Sequence, residues 1–340
     1  MKISILGTGR WASCIAYCMD RNNYEVLMWE REHNGVDSDL FKTRKNQYVT
    51  LSKNVNFTHD IAKAINYGDV IVISILSQCL DNLMQRIKTV DGYQNRKYCI
   101  AMKGVEASTG RRLSEILIDG GIKRENIAVW VGPGHVQSIT MGQPTNMIIS
   151  AYNDRFAKNL VKSFERNNVL DITYSEDIIG TEYGAAAKNV IGIAAGILEG
   201  SNLEQKKGPL MPASVKEIGK FIDALGGDPK TASGLSFLGD FQATLFDHNS
   251  KNLTFGRTLI SKMTTDEKIL NEVVDVHSVE GIKTAEALLK VQKKYNERVN
   301  NEMQIKMPIT TAVHEIVSGK IALDEAGQYM SRKITEALYL

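Results

Sequence analysis

Lys188 stands in the middle of an apolar run of small residues. Ile178–Gly200 reads IIGTEYGAAAKNVIGIAAGILEG, with glycines at 180, 184, 192 and 196 paired four apart and alanines between them. On a helix that spacing stacks them on one face, giving a narrow surface that other helices can approach closely. Each such glycine costs on the order of 1 kcal/mol of helix propensity, so close packing has to compensate. An ammonium on this surface either snorkels to water or, once buried, needs an acidic partner or must give up its charge. The sequence leaves both open. Three other segments carry chemistry of the same kind. Met102-Lys103-Gly104 follows an apolar run at 98–101, which puts Lys103 at a strand's carboxyl end, where open α/β sheets bind ligands. Asp240 follows Gly239, with Gly234, Leu235 and Leu238 nearby, and offers a carboxylate. Ser250-Lys251-Asn252, ahead of Phe255-Gly256, offers a cation beside an amide. Taken singly, each of these three reads more readily as a surface residue.

A fifth segment binds rather than reacts. Lys2–Leu6 is a short β-rich run, followed by Gly7-Thr8-Gly9-Arg10-Trp11-Ala12, a helical pattern over 11–21, and a second apolar run, Glu25–Trp29, ended by Glu30-Arg31. Strand, glycine turn, helix and strand within about 30 residues form the opening unit of a dinucleotide-binding domain. Gly7 permits the tight turn, Gly9 lets the backbone approach a pyrophosphate, and a small residue at 12 lets helix and strand pack closely. N–H groups at the helix start then face the phosphates. Glu30 would accept hydrogen bonds from ribose hydroxyls, which suits NAD, whereas Arg31 would pair with a 2′-phosphate, which suits NADP. One residue of register decides, and the charge of Glu30 inclines the reading slightly to NAD.

These groups need elements to hold them. Further strands are expected at 70–75, 98–101, 128–131, 146–151 and 172–174, with helices at 78–88 and 110–118. Strands alternating with helices indicate a parallel sheet. From 177 onward helical patterns dominate. The expected fold is therefore α/β: a mostly parallel sheet domain at 1–176 and an all-helical domain at 177–340. A length of 340 residues suits two domains, and 43% hydrophobic with 24% charged residues excludes disorder. Lysines and arginines number 41 against 39 acidic residues, a net charge of +2. That is no footprint for nucleic acid or an anionic membrane. Four cysteines without a C-x-x-C pair read as reduced, mostly buried thiols. Six histidines without metal-ligand spacing give no support for a metal site. No secretory leader and no uncharged apolar run of membrane-spanning length is evident, so a cytoplasmic protein is expected.

In this order the motifs are recognisable. The chain resembles the bacterial NAD(P)-dependent glycerol-3-phosphate dehydrogenases: GTGRWA at 7–12, RKNQY at 44–48, MKGVE at 102–106, GPGH at 132–135, GTEYGAAAKNVIGIAAG at 180–196, GLSFLGD at 234–240, SKNLTFG at 250–256 and VEG at 279–281. The resemblance implies a Rossmann-type amino-terminal domain, an all-α carboxyl-terminal one, and NAD or NADP as cofactor. The implied reaction is reversible hydride transfer between the nicotinamide and C2 of dihydroxyacetone phosphate or sn-glycerol 3-phosphate, feeding glycerophospholipid synthesis. It makes Lys188 the general acid/base, with Asp240 beside it, and sets Lys103 against substrate and cofactor. Lys251 and Asn252 would hold the substrate phosphate, helped by Ser250 and Thr244. Gly132 and Gly134 fall at substrate positions. Arg10, Trp11, Arg31, Val136, Lys251 and Glu280 fall at dinucleotide positions. As hydride reaches a carbonyl carbon, charge grows on its oxygen, and a positioned ammonium stabilises that charge and delivers the proton. A small phosphorylated substrate is the implied partner, and a homodimer is left open.

The chain departs from the family pattern at several places. Lys251 replaces an arginine, Leu76 replaces a proline, and the loop after Gly132-Pro133 reads Gly134-His135-Val136-Gln137. Pro209 and Pro212 fall in 204–216, where the family is helical. Two alternatives stay open: a dehydrogenase of the same fold acting on another phosphorylated or acidic ketone, and a dinucleotide-binding regulator without turnover. Lys103, Lys188 and Asp240 speak against the regulator, which would not require them.

Overall fold

The computed structural model describes residues 1–32, 38–165, 169–246 and 250–340. They divide into two compact units, Met1–Lys103 with Leu113–Ile178, and Gly104–Arg112 with Ile179–Leu340.

The first unit is built on an eight-stranded sheet: β1 (Lys2–Leu6), β2 (Glu25–Trp29), β3 (Val55–Thr58), β4 (Val70–Ile73), β5 (Tyr98–Ile100), β6 (Ile127–Val131), β7 (Thr145–Ala151) and β8 (Leu170–Ser175). Their order is β3-β2-β1-β4-β5-β6-β7-β8. All neighbours are parallel except β6 and β7, whose register pairs Val131 with Ile148. Strands covered by helices on both faces read as unbroken apolar runs. VIVI in β4 and IAVWV in β6 do so, and both are wholly buried. β3 escaped the sequence reading because it is four residues at a sheet edge, with polar Asn56 exposed in its middle. The helix expected at 78–88 is a 3-10 turn at Ser77–Cys79 followed by an α-helix at Leu80–Ile87. The helix expected at 110–118 starts only at Leu113 and ends at Asp119. Gly110 has φ +76°, outside helical space, and Val105 bridges Arg112 in antiparallel fashion.

The second unit is helical. Ile178–Gly200 forms a single 23-residue helix, and its glycines do what their spacing implied. A Cβ at Gly196 would run into the carbonyl oxygen of Leu253 and lie 3.0 Å from Gly256 Cα. One at Gly256 would meet the Ile193 carbonyl in return. The helices Ile178–Gly200 and Lys251–Ser261 therefore touch backbone to backbone. Pro209 and Pro212 do not interrupt the helix, which runs from Lys207 to Ala224. Pro209 sits in the first turn, where the amide is unpaired anyway, and Pro212 forfeits one bond to the carbonyl of Gly208. Further along this helix, buried Glu217 accepts from the amides of Ile309 (2.7 Å) and Thr310 (3.0 Å) and from the Thr310 hydroxyl (2.7 Å). It thus caps the helix Pro308–Val317 from another element. The short segment Gly104–Arg112 joins this unit: Val105 belongs to its core, and Arg112 pairs with Glu182 at 3.0 Å, both side chains buried. No helix among the described residues is long and apolar enough to cross a membrane.

Candidate functional site

In the sheet unit a cavity of about 510 Å³ opens where β1, β2 and β4 end. This is the switch point of the strand order, where open α/β sheets bind ligands. Gly7 has φ +129°, and a Cβ there would overlap the carbonyl oxygen of Ser74. Its amide donates to Trp29 O (2.9 Å) while the Ser74 amide donates to Leu6 O (2.9 Å), so the turn is clamped between β2 and β4. Around Gly9, by contrast, a Cβ would meet nothing within 4 Å. The helix Arg10–Arg21 starts there without a side-chain cap, and its first amide bond runs from Ser13 to Gly9 O (2.9 Å). The amides of residues 10–12 thus have no partner within the helix and stand at its positive end. A clamped turn, an open approach and bare helix amides fit a dinucleotide pyrophosphate.

Arg10, Trp11, Glu30 and Arg31 line this cavity with the glycines. Arg10 lies over the Tyr48 ring (4.8 Å) and donates to the side-chain Oε1 of Gln137. The Glu30 carboxylate accepts from the Thr8 hydroxyl (2.7 Å) and from the Ser38 amide (3.1 Å). At the end of β5, Lys103 Nζ donates to Gly132 O (3.0 Å) at the end of β6. Gly132 has φ +131°, and Gly134 packs against Met147 and the Trp11 ring. Val136 is buried and opens the short helix Val136–Thr140. Of the cysteines, Cys14, Cys18 and Cys99 are buried and Cys79 is exposed. Hydrogen bonding to Cys18 and burial push the Cys14 thiol up, and burial does the same to Cys99.

In the helical unit Lys188 does not snorkel. Its side chain is 13% exposed, 3.3 Å from Asp240 Oδ1, and Nζ donates to Thr244 Oγ1 at 3.1 Å. The Thr244 hydroxyl in turn donates to Asp240 O (2.9 Å), which fixes its lone pairs towards the lysine. Asp240 follows a π turn at Leu235–Gly239, closed by the Gly239 amide on Gly234 O (3.0 Å). Such wide turns re-aim the residues that follow them and recur at functional sites. Ser250 caps the helix Lys251–Ser261. Asn252, buried in that helix, donates to Asn189 Oδ1 (3.0 Å) and accepts from the Gly281 amide (3.0 Å). Asn189 then donates to Glu280 (2.9 Å). Lys251 is exposed and bonds to Ser278 (2.8 Å).

The sheet unit therefore gathers Gly7, Gly9, Arg10, Trp11, Glu30 and Arg31 round one cavity and pairs Lys103 with Gly132. The helical unit joins Lys188, Asp240 and Thr244, and separately Asn252 and Glu280 through Asn189. Asn189 was missed as a linker. Its signal was an amide next to a lysine within an otherwise apolar helix, since a buried amide needs partners. Arg86, over the Trp29 ring at 5.2 Å in the cavity wall, gave no sequence signal at all.

The strand order, clamped glycine turn and cavity define a Rossmann-type dinucleotide-binding unit followed in the chain by a helical one. The profile of the NAD-dependent glycerol-3-phosphate dehydrogenase N-terminus matches residues 2–157, and that of its C-terminus residues 177–328. A glycerol-3-phosphate dehydrogenase [NAD(P)+] of Staphylococcus aureus is 30% identical over 331 residues, covering 95% of this chain and 96% of that one. Its counterpart in Staphylococcus carnosus is 29% identical over 333 residues, 96% of either chain. The crystal structure of glycerol-3-phosphate dehydrogenase from Coxiella burnetii, 24% identical, shares the fold with a TM-score of 0.84 over 96% of this chain and 97% of that one. The chain belongs to the NAD-dependent glycerol-3-phosphate dehydrogenase family.

Proposed function

We propose that the protein transfers hydride reversibly between NAD(H) or NADP(H) and dihydroxyacetone phosphate or sn-glycerol 3-phosphate. The observation that carries this reading is the largely buried Lys188 ammonium held by Asp240 and Thr244. Dinucleotide binding alone has no use for a cation that must be buried and paired at such cost. A bound nicotinamide supplies or accepts the hydride. Lys188 supplies the proton to the forming alkoxide, or removes it in reverse, and its charge stabilises the oxygen as charge grows there. Asp240 and Thr244 hold the ammonium in place. Lys251, Asn252, Ser250 and Thr244 are the proposed phosphate contacts, with Lys103, Gly132 and Gly134 at the substrate. For the cofactor the proposed contacts are Gly7, Gly9, Arg10, Trp11, Glu30, Arg31, Lys103, Val136, Lys251 and Glu280. Anchoring a phosphate remote from the reacting carbon converts binding into orientation.

The proposed division of labour gives dinucleotide binding to 1–176 and proton transfer to 177–340. A cytoplasmic enzyme with glycerophospholipid synthesis as its outlet is part of the same reading, and light scattering would check whether the chain is a homodimer. The near-neutral net charge supports the absence of a nucleic-acid partner. The deciding experiment mixes purified protein with NADH or NADPH and dihydroxyacetone phosphate and follows the nicotinamide absorbance. Dinucleotide binding without turnover of this ketone would transfer the reading to another phosphorylated or acidic ketone.

A further inference from the structure

The cavity wall carries three guanidinium groups, from Arg10, Arg31 and Arg86, against the single carboxylate of Glu30. Glu30 is the residue whose charge would turn away a 2′-phosphate. Both its oxygens already accept hydrogen bonds, one from the Thr8 hydroxyl within the glycine turn and one from the Ser38 amide. Its geometry is that of a strut for the turn. Arg31 and Arg86 are in the opposite condition. Among the described residues neither guanidinium has a hydrogen-bond acceptor or an acidic partner. Arg86 instead lies over the Trp29 ring at 5.2 Å. That ring is itself pinned, because Trp29 Nε1 donates to His59 O (2.9 Å). A guanidinium set on a fixed aromatic face loses little freedom on binding an anion, and its fork matches a phosphate. Arg86 stands in this wall at the end of β2, together with Glu30 and Arg31, where the ribose end of a dinucleotide lies in this class of fold.

We propose that Arg86 is a specificity-determining residue for the cofactor, joining Arg31 on the adenosine 2′-phosphate, so that the protein takes NADP(H) in preference to NAD(H). This rests on the dehydrogenase reading only in assuming a dinucleotide in the cavity. The test therefore contains no ketone, and turnover of dihydroxyacetone phosphate judges the other reading separately.

The measurement is fluorescence titration of the parent, Arg86→Gln, Arg86→Lys and Arg31→Gln with NADPH and with NADH. Competition by 2′,5′-ADP against 5′-AMP isolates the 2′-phosphate. The parent is expected to bind NADPH at least 10-fold more tightly than NADH. Arg86→Gln is expected to weaken NADPH and 2′,5′-ADP by roughly 10- to 150-fold, the range of one charge-assisted hydrogen bond. NADH and 5′-AMP should change less than about threefold, and Arg86→Lys should recover part of the loss, since it keeps the charge without the fork. Equal losses for both dinucleotides, or none, would overturn the assignment, since Arg86 would then support the cavity wall or do nothing for the cofactor. Should Arg86→Gln not fold, the parent's own preference and Arg31→Gln decide. A parent that binds NADH as tightly as NADPH overturns the proposal.

Discussion

Replacing Gly196 with alanine tests whether the helical unit is held by backbone contact. Helix propensity alone predicts a gain of up to about 1 kcal/mol, because glycine is the poorer helix former. The structure predicts a loss. The new Cβ would run into Leu253 O and lie 2.8 Å from the Arg257 amide nitrogen and 3.0 Å from Gly256 Cα, and ordinary contact begins near 3.4 Å. All three obstacles are backbone of one helix, so no rotamer change relieves them, and the helix has to withdraw by more than an ångström. Overpacking of this kind costs roughly 1–3 kcal/mol, and rigid obstacles put Gly196 at the upper end. After the propensity gain, a net loss of about 2 kcal/mol remains. For a unit of this size that corresponds to a fall of roughly 4–8 °C in its melting temperature. Withdrawal would also shift Asn252 against Asn189, so KM for the phosphorylated ketone should rise. Gly208→Ala is the control: a Cβ there meets nothing within 4 Å, and the midpoint should hold or rise. Calorimetry on both variants decides. If Gly196→Ala melts as high as Gly208→Ala, the backbone contact is not what holds these helices.

Other expectations follow from the site and from one buried acid. Lys188→Ala should lower kcat at least about 10²-fold in steady-state assays with dinucleotide affinity nearly unchanged, and a variant turning over like the parent would remove Lys188 from the chemistry. Lys251→Ala should instead raise KM for dihydroxyacetone phosphate more than it lowers kcat, reducing kcat/KM roughly 10- to 150-fold. Unphosphorylated dihydroxyacetone is the comparison, and equal losses on both ketones would mean that Lys251 is no phosphate anchor. Burial pushes the Glu217 carboxyl up to about 7, outweighing the donors of Thr310 and Ile309. The folded chain then keeps a proton that the unfolded chain releases, so this contribution is complete below about 4.5 and fades as pH rises through 7. Urea titrations across that window should show stability falling by up to about 3 kcal/mol, and Glu217→Gln should remove that part of the slope.

Much of this architecture is legible because local pattern and tertiary role coincide. β1, the glycine turn, the following helix and β2 form within the first 29 residues, each with its own periodicity. The helix Ile178–Gly200 announces itself because its small residues serve one purpose throughout, close approach. Lys188 is conspicuous for the same reason, as the cation among them. What stayed hidden depends on partners remote in sequence. The pairing of Asp240 with Lys188 was legible only through the family resemblance, because it runs through a π turn that no periodicity encodes. Arg112 meets Glu182 across 70 positions of sequence, and Glu217 caps a helix 92 positions ahead. The prolines of Lys207–Ala224 left the helix intact because a proline early in a helix breaks little, and the pattern alone does not say where the helix starts.

The loan of Gly104–Arg112 to the helical unit means that the chain passes between the two units three times, not once. No single cut along the sequence can therefore separate them cleanly. A fragment starting at 179 would lack Val105 from its core, leave Glu182 buried without its arginine, and lose Gly110, which fits against Val291 and lies where a Cβ would be 2.6 Å from Ala287 O. Breaking a buried ion pair by removing one partner costs about 3–5 kcal/mol, a large share of what an ordinary domain has in reserve. Exchanging helical units between relatives, or expressing one alone, succeeds only if this nine-residue loop travels with it. The two units are thus interleaved along the chain, and a cut at the apparent boundary near 178 severs the helical one from part of its own core.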